Sequence, residues 1–312
     1  MTEKSIVTYL QQTETRYACH KFAEMLQGNS FSNKDIEDSF VIKVLDEIIG
    51  DDAGIFHYTL NNGFELFRAR IITKNEDLNT NQSGISADFP EDAPFFSTGF
   101  DKYGSKEAPM GKPPAARNNI EGMSYLYLAE DPYTACAEIR PINRCLVSLA
   151  TFRVQSDIHI LNFVHHNTDI SKYLLLEEKI KVSPNGLNVS LSELFTWFME
   201  IFYRSVGESK GYIASQIISD YIRKAGIDGI RYLSSMSGGT NITIFNSHES
   251  KISFSSSKLV FVPSQQFDII DLNSGDRIIP RDDFVTWKDD GLNDVRIQIA
   301  SAIKRATKKE IK

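Results

Sequence analysis

The chain has 312 residues, 41% of them hydrophobic and 24% charged, which is the balance of a globular protein with a sizeable core and not of a disordered or membrane-embedded one. Its formal net charge of -7 at pH 7 argues against a protein that binds nucleic acid regardless of sequence, because such binding depends on Lys and Arg neutralising phosphates. No run approaches the roughly 18 consecutive apolar residues that a membrane-spanning helix needs.

The N-terminal sequence and the cysteines indicate a protein of the cytoplasm. The first residues, MTEKSIVTYLQQTETRY, have no apolar core and no small-residue cleavage site, so we expect no secretory signal. Cys19, Cys136 and Cys145 are odd in number and form no C-x-x-C pair, which argues against a disulfide framework and a structural zinc site. The adjacent His165 and His166 lack a second ligand pair at usable spacing. We therefore expect reduced thiols and no metal.

The first half of the chain is predicted to begin with helices and to continue into a strand. Residues 5 to 50 have the apolar spacing of two helices, the second capped by Ser32 or Asn33. Residues 64 to 72, FELFRARII, have the aromatic and β-branched content of a strand, with both arginines on one face. The polar, turn-rich stretch from 73 to 123 is longer than a compact domain usually tolerates, and we interpret it as a mobile excursion or a functional loop.

The second half of the chain mixes strands with irregularly spaced helices. Strands are predicted over residues 123–129, 145–154, 158–163, 229–235, 240–245 and 258–263. Helices are predicted over residues 132–140, 191–207 and 212–226, and again from about residue 281. Because the helices do not alternate regularly with the strands, the fold class is predicted to be α+β and not a regular α/β array.

The segment from 119 to 141, NIEGMSYLYLAEDPYTACAEIRP, joins a strand to a short helix that carries a glutamate. Asp131 has the position of a helix N-cap, Pro132 that of the first helical residue, and Pro141 follows the helix. Polar residues recur on elements that should otherwise be apolar: Arg68, Arg70, Arg117, Tyr127, Glu138 and Ser234. Each has an ordinary structural explanation, such as a surface ion pair or a core tyrosine, so the residues alone leave a shared site open.

Several well-known catalytic signatures are missing from the sequence. It contains no G-x-x-x-x-G-K-[ST], no G-x-G-x-x-G after a strand, no H-E-x-x-H and no G-x-S-x-G. The absence of these motifs argues against a phosphate-loop NTPase, a Rossmann oxidoreductase, a zinc peptidase of the H-E-x-x-H kind and a serine hydrolase.

The run MGKPPAARNNIEGMSYLYLAEDPYTACAEIRP, together with FRAR upstream and DGIRYLSSMSGGTNITIF downstream, resembles the RES-domain family. These proteins are bacterial toxins of toxin–antitoxin pairs, named for an arginine, a glutamate and a serine. The central run contains R-x-N beginning at Arg117, Y-L-A beginning at Tyr127, and T-A-x-x-E ending at Glu138. The tyrosine lies ten positions after the arginine, and the glutamate eleven positions after the tyrosine, as in the family. The matching pieces lie between about residues 64 and 246.

The resemblance implies an ADP-ribosyltransferase-like α+β fold, with a mixed-sheet core and flanking helices. On this basis residues 61–275 form the RES domain, residues 1–60 an N-terminal helical segment and residues 276–312 a C-terminal helical extension. The implied substrate is NAD+, with no metal. The implied activity is a glycohydrolase or phosphorylase that cleaves the nicotinamide–ribose bond, depletes NAD+ and arrests growth. The alternatives are a protein ADP-ribosyltransferase and a catalytically inert RES-like binding module.

Carried over residue by residue, the resemblance implies a catalytic group and an NAD-binding group. The catalytic residues are Glu138, Tyr127 and Arg68, and the NAD-binding residues are Arg68, Arg117, Tyr127, Ser234 and Ser235. Glu138 would stabilise the positive charge that develops on the ribose. The two arginines would bind the pyrophosphate through bidentate hydrogen bonds, and the tyrosine ring would lie against the nicotinamide. Of the two serines, Ser234 is preferred because it follows Tyr232 in the family's Y-x-S pattern.

The resemblance also implies a partner protein. Toxins of this family are neutralised by a small antitoxin, here expected to be of the Xre type with a helix-turn-helix DNA-binding domain. We expect no direct contact with nucleic acid and no association with membranes, and a homo-oligomer stays open. Residues 1–60 match nothing in the family, so this segment either docks a partner or completes the core.

Overall fold

The computed structural model of the chain describes residues 3–28, 31–51, 54–72, 99–108, 111, 113–141, 145–164, 170–182, 187–203 and 209–262, with the short strands 269–270 and 277–278. The chain divides into two compact units. The first consists of Met1–Phe67, Lys106–Glu138 and Phe152–Ser253, and the second of Arg68–Ser105, Ile139–Thr151 and Phe254–Lys312. The domain boundaries expected after residues 60 and 275 stay a prediction.

Three helices form the N-terminal part of the first unit as the structure describes it: α1 (Glu3–Gln27), α2 (Asn33–Glu37) and α3 (Phe40–Ile49). The prediction of only two helices was wrong. α2 ends at Glu37 with Asp38 as its C-cap. Ser39 then adopts an extended conformation, and its hydroxyl accepts a hydrogen bond from the Ile42 N–H at 3.3 Å, so it caps the next helix. The predicted cap before α2 is Ser32, which forms a reciprocal capping box with Asp35.

The remaining elements follow in chain order. The strands are β1 (His57–Leu60), β2 (Glu65–Ile71), β3 (Leu126–Ala129), β4 (Cys145–Val154), β5 (Ile158–Asn162), β6 (Gly229–Leu233), β7 (Thr240–Ile244), β8 (Ile252–Val262), β9 (Ile269–Ile270) and β10 (Arg277–Ile278). The helices are α4 (Lys102–Ser105), α5 (Pro132–Glu138), α6 (Ile170–Val182), α7 (Leu191–Tyr203) and α8 (Ile213–Lys224), with a 3-10 turn at Ser209–Tyr212.

The sheet of the first unit has the strand order β1-β5-β6-β7-β3, with the first residues of β2 beside β3. Its pairs are antiparallel except for β5 and β6, which are parallel. In the second unit, the rest of β2 lies next to β4 and β4 next to β8, while β9 and β10 form an antiparallel pair. The predicted α+β class, with a mixed sheet, flanking helices and an N-terminal helical segment, is confirmed.

Several local predictions differ from the structure. β1 was not predicted because a strand of four residues gives little pattern. α6 was not predicted because its leucines do not lie on one face of the helix: Leu175 is 70% exposed and Leu176 is 4% exposed. β8 begins at Ile252 and not at residue 258, because its serine-rich start has no apolar run. The C-terminal helix predicted from residue 281 lies outside the described residues. Within the described ranges, no helix is long and apolar enough to cross a membrane.

The N-terminal helices complete the core of the first unit. Phe22 of α1 and Ile48 of α3 belong to the same buried cluster as Leu161 of β5. The cluster also includes Phe198 of α7 and Ile218 of α8, both fully buried. Because apolar burial is the main favourable contribution to folding, removal of α1 would expose part of this core. Of the two roles considered for the N-terminal segment, the structure shows the core role.

Cys19, Cys136 and Cys145 form no disulfide, and Cys19 and Cys145 are buried. Cys19 lies in the core, and burial, with the nearby Glu193 charge adding to it, raises the pKa of its thiol to about 12. The thiolate is the reactive form of cysteine, so Cys19 is a packing residue at physiological pH. The described residues contain no group of His, Cys, Asp and Glu side chains that could hold a metal ion.

Candidate active site

Glu138 is the last residue of α5, and the start of this helix is fixed by local sequence. The Asp131 carboxylate accepts a hydrogen bond from the Thr134 N–H at 2.8 Å, and Pro132 is the first helical residue. Both features were predicted from the sequence and are confirmed. Since β3 ends at Ala129, only a short connection separates the strand from the helix, so Glu138 is carried at a fixed offset from the sheet.

The Glu138 carboxylate is held through one of its two oxygens. The Ser234 hydroxyl and the Asn241 side-chain amide each donate a hydrogen bond to Oε1, both at 2.6 Å. Ser234 is 1% exposed and Asn241 is 5% exposed, so both donors are rigidly enclosed. Oε2 receives no hydrogen bond from the part of the chain that the structure describes. The arrangement fixes a negative charge and leaves one carboxylate oxygen for a ligand.

A tight turn after β6 directs the Ser234 hydroxyl at Glu138. Its Oγ accepts hydrogen bonds from the Met236 N–H at 3.1 Å and the Ser237 N–H at 3.2 Å, so its own proton points to the carboxylate. The neighbouring Ser235 Oγ is buried and has no hydrogen-bond partner among the described residues. Of the two predicted serines, the structure therefore places Ser234 on Glu138.

Gly239 allows this turn to approach α5 closely. A Cβ atom at this position would lie 2.0 Å from the Thr134 hydroxyl and 2.9 Å from an Asp131 carboxylate oxygen, and neither distance is sterically possible. The Thr134 hydroxyl also hydrogen-bonds the Ser237 hydroxyl at 2.8 Å. Helix and turn are thus joined directly, and the glycine is required by the absence of space.

Tyr127 on β3 holds the loop that carries the predicted arginine. Its hydroxyl donates to the Asn119 side-chain oxygen at 2.6 Å and accepts from the Asn118 N–H at 3.1 Å. Asn119 in turn uses its side-chain N–H groups to bind three loop carbonyls, those of Pro114, Ile120 and Met123. Burial raises the pKa of Tyr127 well above its usual range, so the hydroxyl stays protonated and can donate.

Replacing Tyr127 by Phe is expected to lower the free energy of unfolding by about 1–3 kcal/mol, because two buried polar groups lose their partner. Chemical denaturation measures the change. Tyr133→Phe is the matched control, since Tyr133 is 75% exposed and the same loss of a hydroxyl there should have almost no effect. Equal stabilities of the two variants would contradict the role of Tyr127 as the clamp of this loop.

The Arg117 guanidinium lies against two tyrosine rings at the end of α7. Its Cζ is 5.4 Å from the centroid of the Tyr212 ring and 6.0 Å from that of Tyr232, and Nη1 donates to the Phe202 carbonyl. The Arg117 carbonyl accepts a hydrogen bond from the Ser215 hydroxyl at 2.6 Å. Aromatic faces and the negative end of a helix both favour a cation, so these contacts hold the guanidinium in place.

Tyr232 lies within electrostatic reach of both Arg117 and Glu138. Burial raises the pKa of Tyr232; the Arg117 charge opposes this rise and the Glu138 charge adds to it. On β6, Tyr232 pairs with Asn241 of β7, which pairs with Ala129 of β3, so these residues share one face of the sheet. The structure therefore brings Arg117, Tyr127, Glu138 and Ser234 onto one region of the first unit.

Arg68 belongs to the second unit, where it is half-buried on β2. Arg70, two residues along the strand, is exposed, stacks on the Phe100 ring at 5.6 Å and donates to the Gly104 carbonyl. The contacts described above are those of the first unit, and the role of Arg68 in the site stays a prediction.

Three residues of the site were not singled out from the sequence: Asn118, Tyr212 and Asn241. Asn119 was noted only as part of the R-x-N motif, and Tyr232 only as part of Y-x-S, without the contacts that they make here. A signal was present for Asn241, which interrupts the strand TNITI with an amide at a buried position. A buried amide needs a partner, so its presence in a central strand predicts a polar group facing it. The aromatic neighbours of Arg117 come from distant parts of the chain and had no such signal.

A comparison with protein-family models agrees with the sequence motifs. The family model of the RES domain matches residues 95–260, which is more than half of the chain. Among solved structures, the chain is similar to the crystal structure of the M. tuberculosis MbcT–MbcA toxin–antitoxin complex, with 10% sequence identity and a TM-score of 0.33, over 70% of this chain and 91% of that chain. No curated protein matches the sequence.

Proposed function

Because the chain belongs to the RES-domain family, we propose that it is the toxin of a bacterial toxin–antitoxin pair and that it cleaves the nicotinamide–ribose bond of NAD+. The observation that carries the chemical part of the proposal is the Glu138 carboxylate, which two buried donors hold through Oε1 while Oε2 receives no hydrogen bond from the described residues. A fixed carboxylate with one oxygen directed to a ligand is the group that this bond cleavage requires.

The chemistry follows from charge. As the bond to nicotinamide breaks, positive charge develops on the ribose, and a carboxylate beside it stabilises the transition state more than the ground state. Such a preorganised charge needs no reorientation during the reaction, and removing a group of this kind typically costs about 3 kcal/mol of transition-state stabilisation. Glu138 supplies this charge, and Oε2 is the atom that can also accept a proton from an incoming nucleophile.

The remaining residues bind the rest of the substrate. Arg117 recognises the pyrophosphate, because its guanidinium is held near the Tyr212 and Tyr232 rings and offers the paired donors that bidentate contacts with phosphate need. The ring of Tyr127 provides a flat surface for the nicotinamide. The reaction needs no metal in this scheme, because Glu138 and Arg117 supply the charges.

Incubation of the purified protein with NAD+ labelled in nicotinamide and in the adenylate phosphate tests the proposal. Free nicotinamide with free ADP-ribose is the product of hydrolysis. A phosphorylated ADP-ribose that forms only in phosphate buffer is the product of phosphorolysis. Adenylate label retained on an added cell extract would instead indicate a protein ADP-ribosyltransferase. No turnover in any of the three reactions would contradict cleavage of NAD+ and favour an inert binding module.

The partner of such a toxin is a small neutralising antitoxin of the Xre type. The net charge of -7 disfavours direct binding of DNA by this chain, so we assign contact with DNA to the antitoxin. Growth of bacteria that express the chain from an inducible promoter tests this, with and without the protein encoded by the neighbouring gene. Growth arrest that the neighbour relieves supports the pairing, and arrest that persists at equal expression contradicts it.

A further inference from the structure

Asn241 lies in the middle of the sheet of the first unit. Its strand, β7, pairs with β3 on one side and with β6 on the other, and all five residues of the strand are buried. An amide at such a position is unfavourable unless it is hydrogen-bonded, because it gives up its contacts with water. The Asn241 side chain therefore needs a hydrogen-bond partner, which an aliphatic side chain at this position would not need.

The partner of the amide is Glu138. Asn241 Nδ2 donates to Oε1 at 2.6 Å, on the same oxygen that Ser234 binds. The orientation of the amide follows from this contact, since a rotated amide would place its own oxygen against a carboxylate oxygen and lose the hydrogen bond. Oδ1 accepts no hydrogen bond from the residues that the structure describes, so the contact with Glu138 is the one polar interaction that this side chain makes within them.

The strand register explains how a residue on β7 reaches a glutamate on a helix. Asn241 lies opposite Ala129, the last residue of β3, and the small alanine side chain leaves space on that face of the sheet. α5 begins three residues after Ala129 and ends at Glu138, so the carboxylate returns over the space beside β7. The opposite neighbour, Tyr232 on β6, is 4% exposed and closes the other side.

We propose that Asn241 is a positioning residue: it holds Glu138 through Oε1 so that Oε2 faces the substrate. The proposal rests on the function proposed above for Glu138. Ser234 alone would fix the distance of the carboxylate from the turn but not its rotation, because a single hydrogen bond allows rotation about its axis. Two donors from two different elements remove that freedom, and a carboxylate held in one orientation is what a preorganised site requires.

The test compares Asn241→Ala, which removes the donor, and Asn241→Leu, which removes the donor and keeps a side chain of nearly the same size. Ser219→Ala is the control, since the Ser219 hydroxyl is buried on α8 without a hydrogen-bond partner among the described residues. The first readout needs no NAD+: carbon-13 relaxation of the Glu138 side-chain methylene groups. We expect its order parameter to fall from rigid values toward those of flexible groups, below roughly 0.6, in both Asn241 variants and to stay unchanged in the control.

The second readout is kinetic. In both Asn241 variants kcat is expected to fall by roughly 10²-fold with little change in KM, because a misplaced carboxylate weakens the transition state and not the binding of NAD+. Should Asn241→Ala fail to fold, the nearly isosteric Asn241→Leu alone decides. An unchanged Glu138 order parameter, or a rise in KM without a fall in kcat, overturns the positioning role. Loss of order at Glu138 in a protein whose wild type does not consume NAD+ contradicts the proposed function and leaves the positioning role standing.

Discussion

Replacement of Glu138 by Gln is expected to slow NAD+ cleavage by about 10²- to 10⁴-fold without unfolding the protein. Both hydrogen bonds to this side chain fall on Oε1, so the glutamine oxygen can accept them unchanged while the amide nitrogen takes the place of Oε2. The substitution therefore removes the charge and keeps the contacts. Release of labelled nicotinamide under single-turnover conditions gives the rate, and thermal unfolding shows whether the fold is kept.

Glu121→Gln is the matched control for this variant, because Glu121 is an exposed glutamate in the loop before β3. It should cleave NAD+ at the wild-type rate. In growing cells, Glu138→Gln should also lose toxicity, which would exclude an inert binding module. A Glu138→Gln protein that cleaves NAD+ as fast as the control would show that the carboxylate does not carry the reaction.

The variant Arg117→Lys is expected to lose about 1.5–3 kcal/mol of interaction with NAD+, which is roughly 10- to 150-fold in kcat/KM. Lysine keeps the positive charge but has no planar guanidinium to lie against the Tyr212 and Tyr232 rings and no pair of parallel N–H donors for phosphate. Calorimetric titration with NAD+ and steady-state kinetics both measure the loss.

Arg153→Lys provides the comparison for this substitution. Arg153 is half-exposed on β4 and pairs with Glu65 at 2.7 Å, a surface ion pair that contributes little. It should bind NAD+ like the wild type. If Arg117→Lys unfolds at a lower temperature but binds NAD+ with unchanged affinity, Arg117 only stabilises the end of α7 and does not bind the pyrophosphate.

The parts of the site that could be predicted depend on neighbours in the sequence. The α5 helix was predicted because Asp131 and Pro132 act within one turn, and cap chemistry is local. Ser234 was predicted from the Y-x-S spacing of the family. Its contact with Glu138, 96 positions away along the chain, has no local signal in the sequence. Without that spacing, a serine after a strand would have no distinguishing feature.

The parts that could not be predicted depend on how distant segments meet. Asn241 contacts Glu138 only because β7 pairs with β3 in one register, and a shift by one residue would turn its side chain to the other face. Tyr212 and Phe202 reach Arg117 through the packing of α7 and the turn before α8, which no local pattern encodes. The break at Ser39 was missed for a different reason, because a serine inside an apolar run is compatible with both a continuous helix and a new cap.

The absence of space at Gly239 has a consequence for how this protein can vary. The turn and α5 are in direct contact through Thr134 and Ser237, with no room for a side chain at Gly239. The distance between Glu138 on the helix and Ser234 on the turn is therefore set by this contact. A side chain at position 239 would push the turn away from α5 and separate Glu138 from Ser234 without contacting either residue. In a library that carries every substitution at every position, the variants that still arrest growth should therefore contain as few substitutions at Gly239 as at Glu138. This is expected although the glycine has no side chain that could take part in the reaction.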